Sequence, residues 1–278
     1  MSTRQWKARD VAKCIIIPSD LDNKYSRGVL GAITGSARFP GAAVLTCASA
    51  SATGLGMIRF HSNSGLAHLV LHSNPEVVVQ PGPVTAWLAG SGIESNRYSD
   101  FTTWIRHRWF TLISKQSVPT ILDAGALSLA GKFSHPTLIT PHAGELARLL
   151  TSRGVDVTSE AIEGNPKKWA VKASQLLGVV VLLKGSRTVV ADGESLIELT
   201  ISSPWLATAG TGDVLAGIVA ALAATNYIEI LNDSKRLSEV AASAAYIHNS
   251  AALLASRDAP ISATRIVDFI PDAIRKIL

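Results

Sequence analysis

The segment Ala207-Thr208-Ala209-Gly210-Thr211-Gly212-Asp213-Val214-Leu215-Ala216-Gly217 joins a glycine turn to the start of a small-residue helix. Two glycines let the backbone turn so that several N–H groups point the same way, and the helix N-terminus adds its partial positive charge. The segment therefore predicts an anion hole at Gly210, Thr211 and Gly212, suited to the oxygens of a transferring phosphoryl group. Asp213 falls in the first helical turn, where its carboxylate can take a proton from an attacking hydroxyl.

The same spacing has a purely structural interpretation, in which Asp213 is an ordinary helix N-cap after a glycine turn. Spacing alone leaves both interpretations open. The segment is not a Walker loop, because no Gly-Lys-Ser/Thr follows, and it is not a dinucleotide fingerprint, because Leu215 stands where GxGxxG requires its third glycine.

Elsewhere the chain alternates short β-branched runs with small-residue or amphipathic stretches, which predicts an α/β fold. The runs are apolar nearly throughout, as expected for parallel strands covered on both faces. No repeat or linker divides the chain, so residues 1–278 are predicted to form one domain. The predicted strands are Val29–Thr34, Glu76–Gln80, Thr120–Ala124, Thr137–Thr140 and Val179–Lys184, and the predicted helices are Gly41–Thr53, Gly144–Leu150, Asn165–Leu177, Val214–Ala224 and Ser238–Ala255.

One segment departs from this alternation. Thr188–Ala191 and Glu194–Thr200 flank Asp192-Gly193, a dipeptide that favours the tight turn of a β-hairpin. We therefore expect an antiparallel hairpin near the end of a mostly parallel sheet. It brings Lys184-Gly185-Ser186-Arg187-Thr188 to a strand end, where α/β sheets bind ligands.

Two further loops carry candidate site residues. His142 and Glu145 fall three apart at the start of a helix, so His142 can donate a hydrogen bond to a substrate and Glu145 can hold water around Mg²⁺. A helix start with a favourable glutamate explains the same residues equally well. In the loop Gly35–Gly41, small residues permit close approach of a ligand or, more simply, tight helix–sheet packing. His248 lies on a small-residue helix and is predicted to be a packed core histidine.

Composition narrows the class of protein. Of 278 residues, 47% are apolar and 17% charged, which excludes a disordered chain. The net charge of +5 suits an anionic small molecule, and no Lys/Arg cluster indicates a nucleic-acid partner. Cys14 and Cys47 form no CxxC pair, which indicates a reducing cytoplasm, and the longest apolar run, Val214–Ala224, is too short to span a membrane.

Five segments together resemble the NAD(P)H-hydrate dehydratase family, which has a ribokinase-like fold. They occur in the family's order and spread from about residue 28 to about residue 255. The resemblance implies a three-layer α/β/α architecture with a mostly parallel central sheet. The matching segments are Gly31–Gly41 with Ala42-Ala43, Asp123–Leu127, Thr140–Glu145, Leu183–Thr188 and Leu206–Gly217.

The resemblance implies a repair enzyme that dehydrates (S)-NADHX or (S)-NADPHX back to NADH or NADPH, driven by ADP or ATP. It assigns nucleotide contacts to the residues of Lys184–Thr188 and to Gly212. It assigns hydrate contacts to Ala43, Gly82, His142 and Asp213. Glu145 matches the glutamate of the fold's NxxE-like magnesium motif, with His142 in place of the asparagine. Family likeness and high apolar content also imply a homotetramer.

This sequence differs from the family pattern at two points. A Gly-Pro-Gly-Leu-Gly loop is expected after the strand predicted at Glu76–Gln80, where this chain reads Gln80-Pro81-Gly82-Pro83-Val84. Pro83 removes an N–H and stiffens that turn, so a shifted substrate preference is possible. The epimerase domain that often accompanies the family is expected to be absent, leaving epimerisation spontaneous or to a separate enzyme.

Two other functions remain open at the level of sequence. A ribokinase-like kinase acting on a sugar or vitamin-precursor alcohol would keep the phosphate-binding turn and Asp213 but need not keep His142 with Lys184–Thr188. A nucleotide-binding regulator without catalysis would bind ADP or ATP stoichiometrically. Neither the choice between ADP and ATP nor that between NADHX and NADPHX follows from the sequence.

Overall fold

The computed structural model describes residues 3–193, 195–199 and 203–278. Within these ranges nine strands form one sheet, in the order β1-β9-β8-β7-β6-β5-β4-β2-β3. The strands are β1 (Thr3–Gln5), β2 (Val29–Ile33), β3 (Met57–Phe60), β4 (Ala86–Ala89), β5 (Thr120–Leu122), β6 (Thr137–Ile139), β7 (Val180–Leu183), β8 (Val189–Asp192) and β9 (Ser195–Glu198).

Helices cover both faces of the sheet, which confirms the three-layer α/β/α architecture. In β5, Ile121 packs into the core shared with the helices Pro40–Thr53, Thr211–Thr225 and Lys235–Ser256. Leu122 packs into the core on the other face, shared with the helices Ala143–Thr151 and Pro166–Leu177. The described helices are α1 (Ala8–Ala12), α2 (Pro40–Thr53), α3 (Ser64–Ser73), α4 (Phe101–Trp109), α5 (Ala143–Thr151), α6 (Ser159–Gly164), α7 (Pro166–Leu177), α8 (Thr211–Thr225), α9 (Tyr227–Asn232), α10 (Lys235–Ser256), α11 (Ala263–Asp268) and α12 (Ile270–Arg275). Over the described ranges, none of these helices has the length and apolarity needed to cross a membrane.

The predicted hairpin is confirmed. Strand β8 pairs antiparallel with both β7 and β9, while the strands from β3 across to β7 pair in parallel. Gly193, with φ +57°, makes the turn between β8 and β9. Glu194 and Thr200, the ends of the second predicted strand of the hairpin, lie outside the described residues.

The other predicted strands are confirmed with one exception. Glu76–Gln80 is not a strand of the sheet: Val78 forms a single isolated bridge with Arg59, and the chain then turns through two prolines. The strand between β3 and β5 is instead Ala86–Ala89, a run rich in residues that favour helices. The predicted helices are present as α2, α5, α7, α8 and α10.

The close contact between α2 and α8 fixes where the phosphate-binding turn sits. A Cβ added to Gly217 of α8 would lie 2.0 Å from Ser49 Oγ and 2.5 Å from the Thr46 carbonyl oxygen of α2. Glycine at this position therefore lets the two helix backbones touch. As a result, the N-terminus of α8 is held over the carboxyl ends of the central strands.

Arg106 ties α4 to the carboxyl ends of β2 and β3. Its guanidinium is 2% exposed and donates hydrogen bonds to three carbonyl oxygens, those of Thr34 (2.6 Å), His61 (2.6 Å) and Gly35 (2.9 Å). Burial lowers the pKa of Arg106 to about 10, so the side chain stays charged at neutral pH. The arginine fork thus satisfies three carbonyls at the point where both strands end.

Arg106→Lys should lower the melting temperature by roughly 6–12 °C. A lysine ammonium cannot reach three divergent carbonyls, and losing two charge-assisted hydrogen bonds costs about 3 kcal/mol, at about 2–4 °C per kcal/mol. Differential scanning calorimetry measures the change. The matched control is Arg108→Lys on the exposed face of the same helix. Equal melting temperatures for the two variants would contradict this account of Arg106.

Candidate active site

Three neighbouring strands end in residues that meet around one ammonium group. Lys184, which follows β7, places Nζ 3.0 Å from Asp123 Oδ1 and 3.9 Å from Glu145 Oε2. Asp123 follows β5, and Glu145 lies in the first turn of α5 after β6. Because parallel strands present their carboxyl ends at one edge, residues distant in sequence converge there. We call Lys184, Asp123, Glu145 and Asp213 the Lys184 cluster.

Asp123 is the buried anchor of this cluster. It is 4% exposed, and its Oδ1 accepts a hydrogen bond from Thr140 Oγ1 (2.7 Å) while Oδ2 accepts one from Ser91 Oγ (2.9 Å). The backbone of Ala124 next to it has φ +40°, a left-handed conformation that is uncommon for a residue with a Cβ. Three donors therefore hold the carboxylate in place beneath Lys184.

The predicted turn from Gly210 to Asp213, the phosphate turn, starts α8. Gly210 is the N-cap, with φ +88°, and Val214 N donates to its carbonyl oxygen. Asp213 is thus the third residue of the helix, and its interpretation as an N-cap is wrong. The Thr211 N–H already donates to Thr208 O at 3.4 Å, which leaves Gly212 and Asp213 as first-turn amides without an acceptor among the described residues.

The phosphate turn faces Lys184. A Cβ built at Gly212 would lie 3.6 Å from Lys184 Nζ, so the ammonium group and the start of α8 border the same space. Burial opposes the charge of Lys184, but Asp123, Glu145 and Asp213 together raise its pKa above the ordinary value. The turn and the lysine thus present positive charge to an anion from two directions.

Asp213 has the electrostatics of a general base. Burial, together with the negative charge of Asp123, raises the pKa of Asp213 to about 7, although Lys184 acts in the opposite direction. The carboxylate forms no hydrogen bond with another described residue. A base whose pKa lies near the working pH is well matched to accepting a proton in a transition state.

His142 and Glu145 form the helix start that the structural interpretation predicts. The His142 N–H donates to Glu145 Oε2 (2.9 Å), and Gly144 N donates to His142 Nδ1 (3.1 Å), which makes a reciprocal cap. The same Oε2 faces Lys184, so Glu145 belongs to the cluster as well as to the cap. The imidazole of His142 is exposed at the mouth of the site.

The loop Lys184–Thr188, which we call the β7 loop, separates two cavities. One, of about 620 Å³, is lined by His142, Arg187 and Glu163; the other, of about 570 Å³, is lined by Gly212, Leu215 and His248. Lys184, Gly185 and Ser186 line both, and Thr188 lines the second. Each volume falls in the range of small-ligand sites.

His248 borders the second cavity but is packed, as predicted. It is 6% exposed, and burial lowers its pKa to about 4, so the imidazole is neutral at physiological pH. A neutral ring suits its neighbour Lys184, whose positive charge also disfavours a second cation there.

Two predicted substrate contacts, Ala43 and Gly82, make packing contacts in this structure. Ala43, in the first turn of α2, is fully buried, and a Cβ at Gly35 would lie 2.6 Å from the Ala43 methyl. Gly35 therefore serves close packing, whereas a Cβ added at Gly41, the other end of the loop, would meet nothing within 4 Å. Gly82 lies before β4, at the amino ends of the parallel strands, where it packs against the Arg59 guanidinium.

Gly82 is expected in the site because a strand is predicted at Glu76–Gln80, and that strand prediction is wrong. The loop that follows β4 at the carboxyl edge is Gly90-Ser91-Gly92, and Gly90 and Gly92 have φ of +108° and +65°. The expectation that Gln80–Val84 occupies the place of the family's glycine loop is therefore wrong. The site has a glycine loop after all, and its Ser91 holds Asp123.

Sequence reasoning also gave no role to Asp123, Ser91 or Thr140. Asp123 stands immediately after an apolar strand, and that position at the edge of a parallel sheet is the one signal that marks it. Ser91 and Thr140 donate to it from the ends of two other strands. Their part depends on strand order, which local sequence does not contain.

Comparison with known proteins places this site in context. A family model described as NAD(P)H-hydrate dehydratase matches residues 30–272. The chain is 37% identical over 236 residues to the bifunctional NAD(P)H-hydrate repair enzyme Nnr of Mycobacterium tuberculosis, covering 79% of this chain and 46% of the relative. The chain thus spans about half the length of these bifunctional relatives.

A relative of similar length and a solved structure show the same likeness. The ADP-dependent (S)-NAD(P)H-hydrate dehydratase of Neisseria meningitidis is 28% identical over 271 residues, which are 91% of this chain and 86% of the relative. The fold matches the ADP/ATP-dependent NAD(P)H-hydrate dehydratase of Bacillus subtilis, co-crystallised with ATP and Mg²⁺, with a TM-score of 0.85 and 22% identity over 100% of both chains. A ribokinase-like superfamily protein of Enterococcus faecalis matches with a TM-score of 0.82 and 21% identity, covering 99% of this chain and 96% of that protein.

Asp213→Asn should raise the melting temperature at pH 8 by roughly 5 °C and should raise it less at pH 5. The fold lifts the pKa of Asp213 from its ordinary 3.8 to about 7, so ionisation opposes folding. That penalty grows as pH rises from 4 to 7 and is complete above 7, and asparagine removes it. Thermal melts at the two pH values measure the effect, with Asp156→Asn, an exposed position, as control. A lower melting temperature for Asp213→Asn at pH 8 would contradict this electrostatic account.

Proposed function

Since the chain belongs to the NAD(P)H-hydrate dehydratase family, we propose that it dehydrates (S)-NADHX or (S)-NADPHX back to NADH or NADPH with ADP or ATP as phosphoryl donor. The observation that carries the proposal is the position of Asp213. Its carboxylate, with a pKa raised to about 7, stands in the first turn of α8 beside the Gly212 amide and the Lys184 ammonium.

The chemistry begins by making the hydroxyl of the hydrate a better leaving group. Asp213 takes the hydroxyl proton as the oxygen attacks the terminal phosphorus, and the bond from phosphorus to the bridging oxygen of the nucleotide breaks. The Gly212 and Asp213 amides and Lys184 stabilise the charge that develops on the phosphoryl oxygens. The ring nitrogen's electron pair then expels phosphate, and loss of a proton from the adjacent carbon restores the double bond.

The predicted binding residues in and beside the β7 loop have a place in this proposal. The β7 loop and Gly212 bind the nucleotide, with Lys184, Gly185, Ser186 and Thr188 bordering the cavity that also contains Gly212. Arg187 borders the neighbouring cavity, where His142 is exposed beside it and can donate a hydrogen bond to the hydrate.

Mg²⁺ fits this site as a partner of the nucleotide. The described residues contain no group of three side chains that would cage a metal, and Mg²⁺ is commonly held by one or two carboxylates together with substrate phosphates. Glu145, whose Oε2 lies 3.9 Å from Lys184 Nζ, would hold the ion. Bound Mg²⁺ would supply charge neutralisation to the phosphate oxygens.

The proposal extends to the setting in which the chain works. We place the enzyme in the cytoplasm, where the reducing environment keeps thiols such as Cys14 and Cys47 unpaired; both are free and buried. We propose that residues 1–278 act as one unit that assembles into a homotetramer. Size-exclusion chromatography with light scattering tests the assembly, for which a mass near that of one chain is the contradicting result.

Asp213→Asn should reduce turnover by at least about 10²–10³-fold while the protein still folds, because asparagine keeps the shape but cannot accept the proton. The assay follows the absorbance of the reduced nicotinamide on adding NADHX and nucleotide, with ADP and ATP in parallel and with and without Mg²⁺. Asp156→Asn is the matched control. Near-full activity of Asp213→Asn would refute its assignment as the base.

The pH profile provides a second test of the same residue. Because Asp213 must be ionised to accept a proton, kcat/KM of the wild-type enzyme should fall about tenfold per pH unit below a midpoint near 7. A profile that is flat from pH 5 to 8 would contradict the base role. The residual activity of Asp213→Asn should lack this acidic limb.

The kinase alternative is separated by the same absorbance assay. A ribokinase-like kinase would consume ATP with an alcohol substrate and leave the nicotinamide band unchanged on addition of NADHX. A regulator would bind nucleotide without turning over either substrate.

A further inference from the structure

A third large concavity borders the Lys184 cluster at Glu145, and none of the predicted nucleotide contacts lies in it. Its volume is about 700 Å³. We call it the α5 groove. Its walls come from the loop after β4, the segment after β5 and the outer face of α5, and include Glu94, Asn96, Ala124, Gly125, Glu145 and Arg148.

The strand order places this groove on the opposite side of the cluster from the β7 loop. The two cavities beside the β7 loop lie at the carboxyl end of β7, whereas the groove lies beyond the ends of β5 and β4, two and three strands away in the sheet. Glu145 belongs to the groove wall and also faces Lys184 at 3.9 Å. A ligand in the groove therefore reaches the same reacting centre as a nucleotide on the β7 loop.

Charge in the groove is concentrated on Arg148. Glu94 is paired with Arg38 at 2.7 Å, and Glu145 is engaged by Lys184 and by the His142 N–H. Arg148 lies one turn after Glu145 on α5, is exposed, and forms no ion pair or hydrogen bond with its side chain among the described residues. The groove thus offers one uncompensated guanidinium, whose planar fork matches a phosphate.

The groove gives the larger reactant room to extend. The hydrate is a dinucleotide, with a second nucleotide beyond its hydrated ring, and each cavity beside the β7 loop has the volume of one small ligand. We propose that the α5 groove binds the phosphate-bearing part of NADHX or NADPHX, with Arg148 contacting a phosphate group. This inference rests on the proposed function. The hydrated ring then lies over Asp123 and Lys184, between the groove and the phosphate turn.

The experiment compares Arg148→Gln with Arg275→Gln, an arginine on the far helix α12 whose exposed ion pair with Asp272 contributes little. We expect Arg148→Gln to lower kcat/KM for the dinucleotide about tenfold or more, chiefly through KM, and to leave the KM of ADP or ATP unchanged. Arg148→Lys should recover part of the loss because it keeps the charge without the fork.

The two substrates identify which phosphate Arg148 contacts. A loss confined to NADPHX indicates the 2′-phosphate, and an equal loss for NADHX indicates the pyrophosphate. A value of kcat/KM within twofold of wild type for both substrates overturns the proposal. A rise in the KM of the nucleotide also overturns the proposal, because it would show that Arg148 contacts the phosphoryl donor and not the hydrate.

A binding measurement separates failure of the groove from failure of the proposed function. NADPH and NADH fluorescence titrations report the affinity of the wild-type and variant proteins without turnover. Suppose that the wild-type protein dehydrates neither hydrate but that Arg148→Gln weakens the binding of NADPH or NADH about tenfold. The groove assignment is then supported, and the proposed dehydratase function is refuted. Unchanged binding of both NADPH and NADH in Arg148→Gln overturns the groove assignment itself.

Discussion

The site depends on one ammonium group that is shared by three carboxylates. Lys184 approaches Asp123 at 3.0 Å and Glu145 at 3.9 Å, and Asp213 acts on it across the phosphate turn. Without this cation, three acidic groups would repel one another at the edge of the sheet. With it, Asp123 stays fixed by its hydrogen bonds and Glu145 caps α5, while burial raises the pKa of Asp213. The positive charge of Lys184 thus allows three carboxylates with different contacts to lie close together.

The packing of small residues sets the geometry in which that cation works. Gly217 lets α8 touch α2, which fixes the start of α8 beside the end of β7. Gly210 then supplies the left-handed turn at the start of α8, close to Lys184 Nζ. The proposed binding of phosphate at this point uses both the helix dipole and the ammonium group, because each alone is weakly stabilising where water can enter.

The sequence predicts the parts of the fold and site that depend on neighbouring residues. Val179–Lys184 is recognisable because a strand covered on both faces is apolar throughout, and the phosphate turn is recognisable because a glycine turn and a helix start are local. The strand Ala86–Ala89 is not recognisable from the sequence, because its residues favour helices. It becomes a strand because of the layers that pack around it. Missing that strand moved the expected glycine loop to Gly82. Lys184 and Asp123 are 61 residues apart, so their contact follows only from strand order.

The central claim is that the phosphate turn and Lys184 grip the terminal phosphate beside Asp213. A crystal structure with ADP or ATP and Mg²⁺ tests it most directly. The account predicts the terminal phosphate oxygens within about 2.7–3.2 Å of the Gly212 N–H and Lys184 Nζ, with the Asp213 carboxylate facing the phosphorus. A nucleotide whose phosphates lie away from this turn, or an Asp213 side chain directed elsewhere, would contradict it.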